Sequence, residues 1–193
     1  MTRHTVVAGA ALLLALAAGV RAADWEMAAM NDGTVAVMLK KAPVVKASYC
    51  FWGAKWKYAG AKIGLGQKKD GAAPLAGSVR DLGIAVAGDV TSPAANKLRY
   101  TWNLQAGKAL SGVIGGGMEF RLSLNDPAFG AKIAGPTLLP DNTGWRWPVG
   151  GGQEVRVEFA GPIANVYFER GNKAQVRCMF VGQELAEGTH TVV

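Results

Sequence analysis

The stretch LRYTWNLQ, Leu98 to Gln105, sets apolar and polar residues in strict alternation. Leu98, Tyr100, Trp102 and Leu104 share one face of an extended chain, and Arg99, Thr101, Asn103 and Gln105 share the other. Successive side chains of a strand point to opposite faces, so this period of two predicts a half-buried antiparallel strand with Trp102 in the core. The rhythm recurs in MEFRLSLN, where Met118, Phe120, Leu122 and Leu124 alternate with Glu119, Arg121, Ser123 and Asn125. It recurs again where Val155, Val157 and Phe159 alternate with Glu154, Arg156 and Glu158. Shorter runs of the same kind lie at 35–39, 47–51, 84–87, 166–168, 176–181 and 189–193. Turn formers fall between them: Asn31-Asp32-Gly33, Asp70-Gly71, Gly88-Asp89, Ser92-Pro93, Gly161-Pro162 and Gly171-Asn172. No segment carries a helical stripe with caps. Roughly nine short strands with frequent glycine predict an all-β fold, a two-sheet antiparallel β-sandwich of jelly-roll type.

The amino terminus addresses the compartment. Arg3 and His4 precede an apolar run from Val6 to Ala18, and Val20-Arg21-Ala22 supplies small residues at a cleavage site. The run is too short to span ~30 Å of hydrocarbon, so the expectation is a signal peptide over 1–22 and an exported domain over 23–193. The destination is periplasmic or extracellular. The signal holds Arg3 and Arg21 and no acid, so the net charge falls from +7 to +5 on cleavage. That excess is scattered, which argues against nucleic acid and leaves an acidic polysaccharide or anionic surface open. No later segment is long and apolar enough to cross a membrane, and a monomer is expected.

Cys50 and Cys178 both lie in strand-like runs, and export would expose them to an oxidising compartment. A disulfide joining an early strand to a late one is expected, with burial as two small hydrophobes the alternative. Two cysteines and two histidines cannot make a zinc set, and His190 alone cannot make a triad.

DNTGWRWPVGGG, Asp141 to Gly152, concentrates turn formers around two tryptophans and an arginine. Tryptophan on a loop is either a lid over the core or a stacking surface. Sugar recognition wants flat aromatic faces with hydroxyl partners beside them, so Trp145 or Trp147 is read as the platform, with Arg146, Asp141 and Asn142 as partners. One indole is expected to pack and the other to remain available. In CFWGAKWKYAG the even spacing of Trp52, Trp56 and Tyr58 suggests a strand continuing past Gly53, with at least one of the two tryptophans buried. The alternative ligand surface is a polar sheet face bearing Arg99, Asn103, Arg121 and Tyr167, formed if their strands are neighbours.

The strand rhythm over most of 24–193, the Trp-bearing loop and the closing AEGTHTVV resemble the galactose-binding-like jelly-roll domains and other carbohydrate-binding modules attached to secreted glycoside hydrolases. The resemblance implies a non-catalytic module that binds a polysaccharide or oligosaccharide. It also implies a possible catalytic domain following the final strand, and no cofactor beyond a possible structural calcium. Asp126, Asp141 and Asn142 offer loop oxygens for such an ion, though their spacing is not diagnostic. YFERGNKAQ (Tyr167 to Gln175) and MEFR (Met118 to Arg121) resemble segments of alginate-lyase-type polysaccharide lyases. That second resemblance implies uronate chemistry with Arg121 and Tyr167 in the site, but the family's Gln-x-His strand is absent. Glu119 with Glu158 is the acid pair a glycosidase reading would use. A non-carbohydrate surface or scaffold domain is the third reading.

Overall fold

The computed structural model describes residues 24–125, 133–161 and 163–193. The signal segment, Asp126 and Pro162 lie outside the described residues. In chain order the strands are β1 (Trp25–Ala29), β2 (Val35–Leu39), β3 (Ala42–Trp52), β4 (Ala61–Leu65), β5 (Ala72–Val79), β6 (Ile84–Ala94) and β7 (Lys97–Ala106). There follow β8 (Gly115–Leu122), β9 (Thr137–Leu138), β10 (Gly144–Gly150), β11 (Gln153–Glu158), β12 (Asn165–Phe168), β13 (Gln175–Val181) and β14 (Gly188–Val192). The fold is all-β, and every strand pairing is antiparallel. Among the described residues no helix is long and apolar enough to cross a membrane.

A six-stranded sheet runs β1-β2-β3-β8-β13-β12, a five-stranded sheet β14-β7-β6-β5-β4, and a three-stranded sheet β11-β10-β9. The alternation in LRYTWNLQ settles as expected: Tyr100, Trp102 and Leu104 are buried while Arg99 and Gln105 are exposed. Trp102 stacks on Tyr100 at 5.1 Å and meets Phe180 of β13 at 4.9 Å, so one aromatic column joins the five- and six-stranded sheets. The polar tips in that column are satisfied across it. Trp102 Nε1 donates to Tyr49 Oη at 3.0 Å, and Tyr49 Oη donates to Gly33 O at 2.9 Å. Tyr100 Oη donates to Thr34 O at 2.8 Å. Burial raises the Tyr49 hydroxyl to about 12, which keeps it a neutral donor.

Several expectations need correction. Gly88-Asp89 is not a turn; both residues pair with β7 inside β6. β5 (AAPLAGSV) and β10 were not legible as strands, because alanine, glycine and proline dilute their alternation. The expected disulfide is absent, and Cys50 and Cys178 are free, buried thiols. Cys50 lies opposite Gly117 and Cys178 opposite Met118, on the two flanks of β8. Adjacent residues of a strand face opposite ways, so Cys50 points to the outer face and Cys178 into the core. Two interstrand spacings also separate their strands by roughly 9–10 Å, beyond the ~7 Å a disulfide tolerates. Burial, with Glu119 adding, pushes the Cys50 thiol up to about 12, and burial raises Cys178 well above its ordinary value.

Candidate functional site

The expected loop platform is a core strand. Trp145 and Trp147 lie in β10, paired on both sides, and each is 0% exposed. A residue pair at i and i+2 shares one face, and here that face is the core. Trp145 meets Phe120 edge-on at 5.3 Å, and Trp147 Nε1 donates to Ala134 O at 3.0 Å. Neither indole can stack on a ligand. Arg146 points the other way, level with Arg156 and Thr137, and its Nε lies 3.4 Å from Thr137 Oγ1. Asp141 and Asn142 are exposed in a short 3-10 turn, both with positive φ, and have lost their aromatic partner.

The alternative sheet floor divides. Arg99 and Asn103 belong to β7 of the five-stranded sheet, where Asn103 Oδ1 accepts from Thr191 Oγ1 at 2.8 Å. Arg121 and Tyr167 belong to β8 and β12 of the six-stranded sheet, so the four residues make no common surface. Arg121 and Tyr167, however, share the outer face of their sheet. Register places Ser48, Glu119, Arg177 and Tyr167 in one row across β3, β8, β13 and β12. Lys46, Arg121 and Gln175 form the row beside it.

Glu119 is the hub of these rows. It is 4% exposed, and its carboxylate accepts from Arg121 Nε at 2.9 Å, Arg177 Nε at 2.8 Å and Gln175 Nε2 at 2.7 Å. Burial alone would raise its pKa, but the bonds from Arg177, Gln175 and Arg121 outweigh it and hold the carboxyl below its ordinary value. Arg177 also pairs through Nη1 with Glu169 and has a hydrogen-bond contact to Tyr167. Burial opposes its charge, and these partners keep the guanidinium protonated. Arg121 is different: its side chain is 72% exposed, leaving the rest of its guanidinium open to solvent. The acid pair imagined for a glycosidase does not form, since Glu158 lies on β11 and is held by Arg156.

From this hub the surface continues into aromatics. The Arg177 guanidinium lies over the Trp52 ring, 4.6 Å from its centroid. β8 separates β13 from β3, so this contact must cross β8, and it does so on the outer face, where Gly115 and Gly117 offer no side chains. A Cβ at Gly117 would collide with the Cys178 carbonyl, and one at Gly115 with the Val181 carbonyl. Trp52 then meets Trp56 edge-on at 5.9 Å, and an isolated bridge sets Tyr58 opposite Trp52. Trp56 is 62% and Tyr58 59% exposed. The expected strand past Gly53 is replaced by a 3-10 turn, Ala54–Trp56, and neither Trp52 nor Trp56 is buried. Lys55 and Trp56 both take left-handed φ, +56° and +62°, a strained conformation for side-chain-bearing residues.

The face therefore offers a rigid ion-pair floor, a stacked Arg177–Trp52 pair and two solvent-facing aromatic rings. Such a surface can stack apolar ring faces and hydrogen-bond hydroxyls without moving. The site residues missed in the sequence were Trp52, Trp56 and Tyr58, read there as one continuing strand, together with Gln175, Arg177 and Glu169. Their signals were present, in the alternation of Gln175 and Arg177 with Val176 and Cys178, and in the glycine run of β8. Among the described residues no group of three His, Cys, Asp or Glu side chains gathers as a metal set. Compared with known proteins, the chain matches no family model, no curated protein and no solved structure.

Proposed function

We propose that this is an exported, non-catalytic carbohydrate-binding domain that takes its ligand on the outer face of the six-stranded sheet, along Trp52, Trp56 and Tyr58. The observation that carries the reading is the pair of large aromatic side chains held in solvent beside a pre-formed polar floor. Exposed aromatics cost solvation unless a partner covers them, and the C–H face of a pyranose is such a partner. Glu119 and Arg177 set the floor, and Arg121, with an open guanidinium, is the hydroxyl partner. Accessory service to a glycoside hydrolase, a monomeric state and a jelly-roll class of sandwich belong to the same proposal. The last is supported by the β7-to-β8 and β13-to-β14 connections, each of which passes from one sheet to another.

Affinity electrophoresis through gels containing single polysaccharides tests this. The wild type is expected to be retarded by at least one, and Trp56→Ala or Tyr58→Ala to run freely while still folded, with a melting temperature lowered by no more than about 5 °C. Free migration of the wild type through every glycan gel would end the reading. A second reading, lyase chemistry on uronate polymers, draws on the meeting of the two lyase-like segments, with Gln175 opposite Arg121 and Tyr167 opposite Arg177. Release of unsaturated uronates, lost in Tyr167→Phe, would establish it in place of the first.

A further inference from the structure

Beside Tyr58, three connections meet at one end of the molecule: β3 to β4, β5 to β6, and β7 to β8. They enclose a cleft of about 460 Å³. Its floor is apolar, made by Ala59, Leu82 and Leu110, all buried. Its rim carries Lys57, Arg80 and Lys108, with Asp81 as the one acid. All three cations are exposed, and among the described residues none forms an ion pair. Another cleft, of about 500 Å³ between β1 and β11, behaves otherwise: its Arg156 is already paired with Glu154 and Glu158. That cleft sets two acids, Glu154 and Glu158, against two cations, Lys97 and Arg156, whereas the cleft that adjoins the exposed aromatics sets three cations against one acid.

We infer that the ligand is an acidic polysaccharide, whose carboxylate or sulfate groups enter the Lys57–Arg80–Lys108 cleft while the adjoining sugar stacks on Tyr58 and Trp56. The inference rests on the carbohydrate reading above and adds the class of sugar. Aromatic faces stack on pyranoses whatever their charge, so the rings alone cannot select an acidic chain. Three unpaired cations around an apolar floor can. They supply long-range attraction and a place for an anion, while the single acid on the rim leaves the local balance positive. Lys57 and Tyr58 both line this cleft, so charge and ring meet at one place. Exposed ion pairs are individually weak, so the expected selectivity is about tenfold rather than absolute, and it fades as salt screens the rim.

The test uses the full chain in gels of polygalacturonate, a sulfated galactan, and a neutral galactan. Retention by at least one acidic polymer, about tenfold stronger than by the neutral one and weakened by added salt, is expected. Which acidic polymer is preferred tells carboxylate from sulfate. The triple variant Lys57→Gln, Arg80→Gln, Lys108→Gln should lose the acidic preference at an unchanged melting temperature. If it melts early, the three single variants, each with a partial loss, serve instead. Acidic retention untouched by these changes, or neutral retention equal to acidic, overturns the inference and leaves the carbohydrate reading standing. Retention by no glycan overturns both. Retention by a single-stranded oligonucleotide and by none of the three polysaccharides overturns both as well.

Discussion

Two pairs of tryptophans sit in similar company and end on opposite sides of the solvent boundary. Trp145 and Trp147 lie among Gly144, Pro148 and three successive glycines, yet they are sealed in the core. Trp52 and Trp56 flank Gly53 after a clean apolar strand, yet Trp56 stands in solvent. Neighbouring glycine and proline do not decide the matter; register does. In β10 the spacing of two places both indoles on the face that meets Phe120, and the glycines and Pro148 sit where the strand starts, bulges and turns. After Trp52 the chain leaves the sheet through left-handed Lys55 and Trp56, so even spacing no longer means a shared face.

The comparison breaks first, if it breaks, at β10. Trp145→Ala or Trp147→Ala removes a fully buried indole and should cost about 3–5 kcal/mol. For a domain of this size that lowers the melting temperature by roughly 10 °C or more. Any loss of glycan retention in these variants should follow the loss of folded protein. A Trp147→Ala protein that melts like the wild type would return this strand to the surface and reopen the loop as a ligand site.

The next effect concerns the floor beneath the exposed pair. Glu119→Ala leaves Arg177 half-buried with one fewer anionic partner and Gln175 without its acceptor, and should cost about 3 kcal/mol. Its folded carboxyl is held below the ordinary value of 4.5, so its contribution is fully present above that pH. It is lost as pH falls through the lower folded value. Thermal melts from pH 6 downward should therefore show an acid-side loss of stability that is smaller in Glu119→Gln. Equal acid limbs in the two proteins would mean that the Glu119 network is not coupled to folding. The cost in glycan retention should exceed that of changing Asn103, which lies on the other sheet.

The fold was legible wherever side chains large enough to show a period occupied a strand. β7, β8, β11 and β13 announce themselves through Trp102, Phe120, Val155 and Phe180. β5 and β10 do not, since a strand built from alanine, glycine and proline has almost no contrast between its faces. The site was legible in half. Alternation put Glu119 and Arg121 on a polar face, but nothing local says that β8 neighbours β3 and β13 rather than β7. Strand order is a long-range property. It separated Arg99 and Asn103 from Arg121, set Cys50 and Cys178 facing opposite ways, and brought Arg177 across Gly115 and Gly117 to Trp52.

The smallest change in stability is expected at Trp56, and it sharpens the comparison most. A side chain in the left-handed region costs roughly 1 kcal/mol relative to glycine. Trp56→Gly relieves that strain and loses an edge contact with Trp52 worth about 0.5–1.5 kcal/mol. The two nearly cancel, so the melting temperature should move by no more than about 3 °C in either direction. Trp56→Ala keeps the strain and loses the contact, and should melt slightly below Trp56→Gly. Both should abolish polysaccharide retention, because the ring that faces solvent is gone in each. A strained conformation that gains one edge contact and holds an aromatic ring in water is what the proposed ligand platform requires. If Trp56→Gly instead destabilises the protein as much as Trp145→Ala does, the two tryptophan pairs are alike, and Trp56 is a lid that the folded chain needs.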